Sequence, residues 1–419
     1  MERLPGFRDF YPEPLPHPDV WSADARQYIF DHWRDVARRY GFREYDGPPL
    51  EALELYTTKS GEEIIGQLYN FIDKGNREIA LRPEMTPTLA RMIAAHERNY
   101  KKPIKWFALP QLFRYERQQK GRLREHFQLN ADIIGEADPG ADAELVALLV
   151  DTLRSVGLSG EDFVIRLSSR NAWHEFFQQH AKNRDHQYEF YQEIDKLERD
   201  EPAVSEQKLS GFGLTLSQIR DFIDEAKPTA ELQSILDNLA SRGLQSFTGV
   251  DYGVIRGLAY YTGVVFEAFD KKGEFRAIAG GGRYDNLISL LSGGKVNLPA
   301  LGFGMGDVVL LELLKARQLL PRFRIDIDAF CLIDDEALRH DSLRLIQELR
   351  NSGLAVEFAL TPSKPDRQFK RAQELDAPLI CKLERSSSGE LIVNIKDLKT
   401  RQQRLVSFSE AAVQLRTRG

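Results

Sequence analysis

The chain has 419 residues, too many for one ordinary hydrophobic core, so two or three domains are expected. An apolar fraction of 42%, a charged fraction of 29% and a net charge of -6 exclude a protein coated in basic residues that grips nucleic acid anywhere, but not one with a local basic surface. The Pro-rich, charged opening MERLPGFRDFYPEPLPHPDV has no signal-peptide core, no stretch approaches the roughly 18 apolar residues that span a bilayer, and the two cysteines, Cys331 and Cys381, form no metal-ligand pattern. A soluble protein of a reducing, cytoplasmic compartment is expected, with no metal bound directly by its side chains.

Residues 21–40, WSADARQYIFDHWRDVARRY, carry Trp21, Ala25, Tyr28, Ile29, Trp33, Val36, Ala37 and Tyr40 at helical spacing, and Gly41 suits the end of that helix. A short strand, Phe42–Tyr45, follows and stops at Gly47-Pro48-Pro49. Residues 104–114 (IKWFALPQLFR) and 126–134 (HFQLNADII) read as strands, joined by the basic ERQQKGRLRE into a hairpin with a long charged loop. Helical patterns dominate 140–156 and much of 173–245, and the charged 185–245 stretch, which lacks strand alternation, reads as a helical insertion. Strands are expected at 251–256, 260–269 and 274–279, followed by a turn at Gly280, Gly281 and Gly282. LGFGMGDVVLLELLKA (301–316) reads as a strand, a tight glycine turn and a buried helix. After Pro321 strand and helix alternate: IDIDAFCLI, a helix near 336–351, LAVEFAL, a basic helix near 365–375, PLICKLE and ELIVNIKD. That is an α/β domain of ordinary size.

Two segments carry chemistry. In LFRYERQQKGRLREHFQLNADIIG (112–135), Arg114 closes a strand, Glu116 follows two residues on, and the loop holds Lys120, Arg122 and Arg124. Such a group can hold a triphosphate, with Arg114 as a fixed fork on one phosphate, the loop cations over the rest and Glu116 accepting from an exocyclic amine. Taken alone, the segment reads equally well as a basic surface hairpin laced with salt bridges. In VIRGLAYYTGVVFEAFD (254–270), Arg256 precedes Tyr260 and Tyr261 in an otherwise apolar strand, where an inward Arg needs an anion. An interfacial Arg stacked on aromatics fits that segment as well. No P-loop pattern is present. Gly302, Gly304 and Gly306 lack the spacing and the downstream acid of a dinucleotide turn, so a backbone passing close under a nucleotide accounts for them better.

These residues resemble a known family. Segment 112–135 is similar to motif 2 of class II aminoacyl-tRNA synthetases in the form histidyl-tRNA synthetases use, and 254–263 with AGGGRYDNL (279–287) resembles their two histidine signatures. LRPEMT (81–86) resembles the amino-acid-binding turn, the 21–40 helix with its strand and Pro48 resembles motif 1 of the dimer interface, and the C-terminal domain resembles the anticodon-binding domain. Five matches in family order, over nearly the whole chain, carry far more weight than any one. The resemblance implies an α+β catalytic domain with a mixed, mainly antiparallel sheet at 1–320, a helical insertion at about 170–245 and an anticodon-binding-like α/β domain at 325–419. It implies ATP-dependent activation of L-histidine and its transfer to histidine tRNA by a homodimer, with ATP as substrate and Mg²⁺ on its phosphates. Residue by residue, Glu84, Met85 and Thr86 would meet the α-amino end of histidine, and Gln128 and Asp132 would line the same pocket. Tyr260, Tyr261 and Tyr284 would border the imidazole. Arg114 and Arg256 would hold the α-phosphate and the carboxylate from two sides and carry the catalysis. Glu116 would read the adenine amine, His126 would lie under the ring, Arg122 and Arg124 would meet phosphates, and Gly304 and Gly306 would pass beneath the nucleotide.

The chain departs from the family pattern in two places. Ala259 stands for the Asp of R-G-L-D-Y-Y. Motif 3, G-x-G-x-E-R, supplies the Arg for the outer phosphate of ATP, and here Val308 and Val309 occupy its Glu and Arg positions. R-G-L-A-Y-Y together with G-F-G-x-G-D resembles a branch found among plant organellar synthetases, so a lineage variant is expected, with Arg122 or Arg124 serving the outer phosphate. Asp132 stands where many bacterial members carry Glu, and keeps the charge. Other readings stay open: a histidine-sensing regulatory paralogue that aminoacylates nothing, an RNA-binding paralogue without catalysis, and another class II specificity. The first generally lacks the anticodon-binding domain, the second is separated by ATP binding, and the Y-Y and G-G-R-Y-D signatures disfavour the third. The basic positions Lys364, Arg367, Lys370 and Arg371 share a helix face, which spacing alone reads as solvated and the resemblance reads as an anticodon contact.

Overall fold

The computed structural model describes residues 2–57, 66–115, 123–197, 200–255, 261–323 and 327–416. The chain forms two compact units, Met1–Phe10 with Ala23–Leu320, and Tyr11–Ser22 with Pro321–Gly419.

In the larger unit, helix α1 (Ala23–Arg39) buries Ala25, Ile29, Phe30, Trp33, Val36 and Ala37, a stripe at three- and four-residue spacing. Trp21 and Ser22, expected to be helical, are extended instead. The helix ends before Gly41, whose φ of +78° is open to glycine without strain. The chain then enters β1 (Arg43–Glu44), which pairs in parallel with β2 (Ile104–Ala108). Next come β3 (Gln111–Phe113), β4 (Glu125–Ile134), β5 (Phe163–Ser169), β6 (Thr248–Val250), β7 (Val264–Asp270), β8 (Ala279–Arg283) and β9 (Ala300–Gly306). Among the described residues these make a nine-stranded sheet in the order β6-β5-β7-β8-β9-β4-β2-β1, with β3 paired to β4. The β1–β2 and β5–β6 pairings are parallel and the others antiparallel, so the sheet is mixed and mainly antiparallel.

Helix α2 (Thr86–His96) opens directly after the LRPEMT turn with Pro87 in its first turn, where a missing N–H costs nothing. Helix α3 (Pro139–Ser155) is capped by Asp138, which accepts from the Gly140 N–H, and is buried almost all round. Helices at Arg170–His180, Gln187–Lys196, Pro202–Ser210, Leu216–Glu225 and Ala230–Ser241 follow β5. A cluster of Trp173, Phe176, Phe222 and Tyr252 rings, with neighbouring centroids 4.6–5.9 Å apart, packs part of this group.

The structure corrects the strand expectations around the glycines. The strand expected at 251–256 is β6 at 248–250, and Asp251 begins a turn by accepting from the Gly253 N–H. The strand expected at 274–279 is absent there, and β8 runs through the supposed turn glycines instead. A Cβ on Gly281 would stand 2.1 Å from the Gly302 carbonyl oxygen, so these glycines are needed for close strand approach and not for reversal. The G-x-G-x-G of residues 302–306 likewise lies inside β9, which passes straight into helix α4 (Asp307–Ala316) without a separate turn.

The smaller unit has a five-stranded sheet in the order β11-β10-β12-β13-β14, formed by β10 (Ala329–Leu332), β11 (Val356–Phe358), β12 (Leu379–Arg385), β13 (Leu391–Asp397) and β14 (Gln403–Ser407). Helix α5 (Arg339–Asn351) packs Leu345, Ile346 and Leu349 against it. The last strand escapes a pattern reading because it is a polar, mostly exposed edge. Cys331 and Cys381 are register partners on β10 and β12, both fully buried as free thiols. Helix α6 (Pro365–Glu374) is tied to the end of β10 by Gln368, which donates to the Ile333 carbonyl at 2.6 Å and accepts from the Ile333 N–H at 3.0 Å.

Candidate active site

A cavity of about 400 Å³, of a size that takes a small molecule, opens over the middle of the nine-stranded sheet. Strand β4 supplies its wall. At period two, His126, Gln128, Asn130 and Asp132 face the cavity. Leu129, Ala131 and Ile133 between them are buried on the other side. Asp132 pairs with Gly302 and Asn130 with Gly304 on β9. A Cβ on Gly302 would stand 1.9 Å from Asp132 Oδ1, and one on Gly304 1.8 Å from Gln128 Nε2. The two glycines therefore give up their volume to side chains of the neighbouring strand, which lean across β9. Gly306 differs, since a Cβ there would meet only His126 Cδ2, at 3.8 Å. At Gly302 and Gly304 the small residue thus has a cause within the protein, while all three glycines still line the cavity where their backbone was expected to pass under a nucleotide.

The polar groups of the wall are partly unsatisfied. Tyr284, itself 2% exposed, donates its hydroxyl to Asp132 Oδ1 at 2.6 Å. Asp132 Oδ2 and Asn130 Oδ1 are buried without a hydrogen-bond partner. Burial pushes the Asp132 carboxyl up to about 7, against the downward pull of the Tyr284 hydrogen bond. Burial drives His126 the other way, down to about 4, and the neighbouring Arg114 guanidinium adds to the effect. His126 Nε2 lies 3.1 Å from Gln128 Oε1, which only accepts, so the neutral ring carries its proton on Nε2.

The remaining walls come from four places. Glu84 and Thr86 enter from the start of α2, Arg114 from the end of β3, Tyr261 from the segment before β7, and Gly280 with Arg276 to Ala279 from β8 and its approach. Arg114 is steadied by its Nε–H, which donates to the Pro83 carbonyl at 3.0 Å. Arg82 fixes the same turn from below, donating to the Gln111 carbonyl at 3.0 Å, the Gly47 carbonyl at 2.7 Å and Asp46 at 3.0 Å. The Tyr261 carbonyl accepts from Arg170. At the foot of α4, Arg8 donates to Glu125 at 2.6 Å and to Asp307 at 2.8 Å, while Asp307 also accepts from the Phe127 N–H at 3.0 Å. All three side chains are nearly sealed from solvent, so this cluster locks the start of β4 to the start of α4.

Of the residues singled out in the sequence, Glu84, Thr86, Arg114, His126, Gln128, Asp132, Tyr261, Tyr284, Gly304 and Gly306 converge on the one cavity. Met85 is buried outside it, with its sulfur 3.8 Å from an Arg82 nitrogen. Arg124 does not line the cavity either: its guanidinium lies 4.1 Å from the Tyr115 ring centre. Glu116, Lys120, Arg122, Arg256 and Tyr260 lie outside the described residues. Sequence reasoning missed Asn130, which its place in the period-two set could have revealed. It also missed Arg276 and the Arg8–Glu125–Asp307 cluster, whose partners are too far apart in sequence to leave a local signal.

Residues 17–307 match the family model described as histidyl-tRNA synthetase, and residues 328–418 match that of an anticodon binding domain. The chain belongs to the histidyl-tRNA synthetase family. It is 43% identical to a histidine–tRNA ligase of Opitutus terrae over 96% of this chain and 94% of that one. It is 36% identical to the chloroplastic/mitochondrial histidine–tRNA ligase of Arabidopsis thaliana, over 97% and 85%. Its fold is that of a histidyl-tRNA synthetase from Nostoc, with a TM-score of 0.75 at 23% identity over 97% of both chains. The match to both family models disfavours the histidine-sensing paralogue, for which an anticodon-binding domain was not expected.

Proposed function

We propose that this family member is a histidine–tRNA ligase, activating L-histidine with ATP to histidyl-adenylate and passing the histidyl group to the 3′ end of histidine tRNA with release of AMP and diphosphate. The observation that carries the reading is the pair of buried oxygens without a partner, Asn130 Oδ1, which accepts, and Asp132 Oδ2, which accepts once its carboxyl is ionised, in a cavity that also holds Arg114. Such a site suits a small molecule rich in N–H donors at one end and anionic at the other. An amino acid without those donors leaves both acceptors unpaired, which discriminates strongly.

Activation is in-line attack of the substrate carboxylate on the α-phosphorus, with charge building on the phosphoryl oxygens. No proton leaves the carboxylate, so no protein base is required. Arg114 stabilises that charge from one side, and Arg256, outside the described residues, from the other. Glu84 and Thr86 receive the α-amino group, and Gln128, Asp132, Tyr261 and Tyr284 enclose the rest of histidine, a role the proposal extends to Tyr260, which lies outside the described residues. The neutral His126 ring lies under adenine, where a charged ring would face the Arg114 cation. Glu116 reads the adenine amine, and Arg122 is a phosphate contact. Among the described residues no group of three or more His, Cys, Asp or Glu side chains could hold a metal ion. Mg²⁺ on the outer phosphates, as part of the nucleotide substrate, belongs to the proposal.

The division of labour is part of the proposal. Residues 1–320 catalyse, with the helical segment near 170–245 as an insertion, and 325–419 bind the anticodon through Lys364, Arg367, Lys370 and Arg371. Arg367 and Arg371 border a groove with Phe358, Leu360 and Gln368 in the smaller unit. The working form is a cytoplasmic homodimer, and among the described residues no helix is long and apolar enough to cross a membrane. The test is histidine-dependent exchange of pyrophosphate into ATP, followed by aminoacylation of histidine tRNA. Exchange with histidine alone among the amino acids is expected, and R114A should lower its rate at least 100-fold while the protein stays folded. Binding of histidine with no exchange would overturn the ligase reading.

A further inference from the structure

A triphosphate brought to this cavity needs cations, and among the described residues lining it only Arg114 and Arg276 carry a fixed positive charge. The start of α4 offers none, because Val308 and Val309 stand there beside Gly306. Arg276 is placed to serve that end. Ala279 pairs with Met305, so Arg276, three residues before the one, and Val308, three after the other, stand at the same end of the sheet. At that end the strand order is β8-β9-β4-β3, with Arg276 before β8 and Arg114 after β3. The two backbones are separated by three strand spacings, roughly 14 Å, and the space between belongs to Gly306 and His126. That distance lets two long guanidinium side chains reach one phosphate chain from opposite flanks. Two further features favour an anion there. Gly306, the residue before α4, makes no side-chain cap to the first amides of that ten-residue helix, and a Cβ at 306 would meet only His126. Arg124, one of the two cations expected to take this role, lies on Tyr115 and does not line the cavity.

We propose that Arg276 binds the outer phosphates of ATP, in the place left without a cation by Val309. This rests on reading the cavity as an ATP-dependent activating site. The experiment compares ATP and AMP binding by calorimetry, and the KM values for ATP and histidine in pyrophosphate exchange, for wild type, R276A, R276K and R122A. R276A should weaken ATP binding and raise its KM at least tenfold while AMP affinity and the KM for histidine stay within twofold. R276K should recover part of the loss, and adding V309R to R276A should restore ATP affinity, since both positions face the same end of the cavity. An R276A protein with wild-type ATP affinity overturns the inference, as does one that loses ATP and AMP equally or one outdone by R122A. Wild-type protein that binds ATP without histidine-dependent exchange sinks the ligase reading and still lets the ATP-to-AMP comparison decide Arg276. Wild-type protein that binds neither nucleotide sinks both.

Discussion

Two ionisable residues in the same wall, a half-buried His126 and a buried Asp132, are pushed in opposite directions. His126 is held neutral down to about pH 4, and the Asp132 carboxyl stays protonated up to about 7. For His126 the folded state binds fewer protons than the unfolded one, so its contribution to stability falls as pH drops from 6.5 towards 4. For Asp132 the folded state binds more, so its contribution falls as pH rises from 3.8 towards 7. At about 1.4 kcal/mol per unit of pKa, the effect amounts to at most roughly 3–4 kcal/mol for His126 and roughly 4–5 kcal/mol for Asp132, and between pH 4 and 6.5 their slopes oppose each other in the wild type. Single substitutions should separate them. Between pH 4 and 6.5, H126F should lose stability relative to wild type as pH rises, and D132N should gain it. Chemical denaturation across that range reads both slopes, and curves parallel to wild type in both variants would rule out the assigned shifts. The residue types of this wall were legible in the sequence because they recur at period two on an otherwise apolar strand. Their protonation was not, since it arises from burial and from Arg114 and Tyr284, which stand just past the ends of β3 and β8.

At the scale of elements, the glycine strands β8 and β9 were the least legible part of the fold. Glycine ordinarily marks a turn, and three in a row at 280–282 were read so. The competing cause is tertiary: Gly281, Gly282, Gly302 and Gly304 each make room for something on an adjacent strand, and that neighbour lies between 18 and more than 150 positions away. The long amphipathic helix and the 104–134 hairpin, whose signals are local, were legible almost to their ends. The two kinds of close approach predict two kinds of failure. G304A drives a methyl into the Gln128 side chain, which can swing aside, so the protein should fold but lose histidine activation by at least 100-fold in kcat/KM. G281A drives it into the Gly302 carbonyl, which cannot move without parting β8 from β9, at a cost of about 1–3 kcal/mol or more. Thermal melts beside exchange assays would distinguish them, and a G304A protein as active as wild type would refute the account of that position. The Arg8–Glu125–Asp307 cluster belongs here as well. It neutralises part of the negative charge at the foot of α4, where a phosphate-binding role would otherwise meet two bare carboxylates.

The whole molecule divides into two bodies with separate cores, one on the nine-stranded sheet and one on the five-stranded sheet. The change of texture after Pro321 falls at the point where the two bodies divide. The membership of Tyr11–Ser22 in the smaller body was not visible, because a Pro-rich segment carries no periodicity to say what it joins. Three of the four tryptophans, Trp33, Trp106 and Trp173, lie in the larger body. Both cysteines of the chain lie in the smaller one, side by side on neighbouring strands and fully buried. The protein thus carries a built-in pair of reporters. A disulfide reagent reaches the thiols only when the β10–β12 core opens, while tryptophan emission follows mainly the larger body. In a urea titration the burst of thiol labelling should occur at a midpoint of its own, distinct from the fluorescence midpoint, if the two bodies melt independently. Coincident midpoints would mean that they unfold as one. In undenatured protein the labelling rate then becomes a clock, free of any engineered probe, for how often the smaller body breathes.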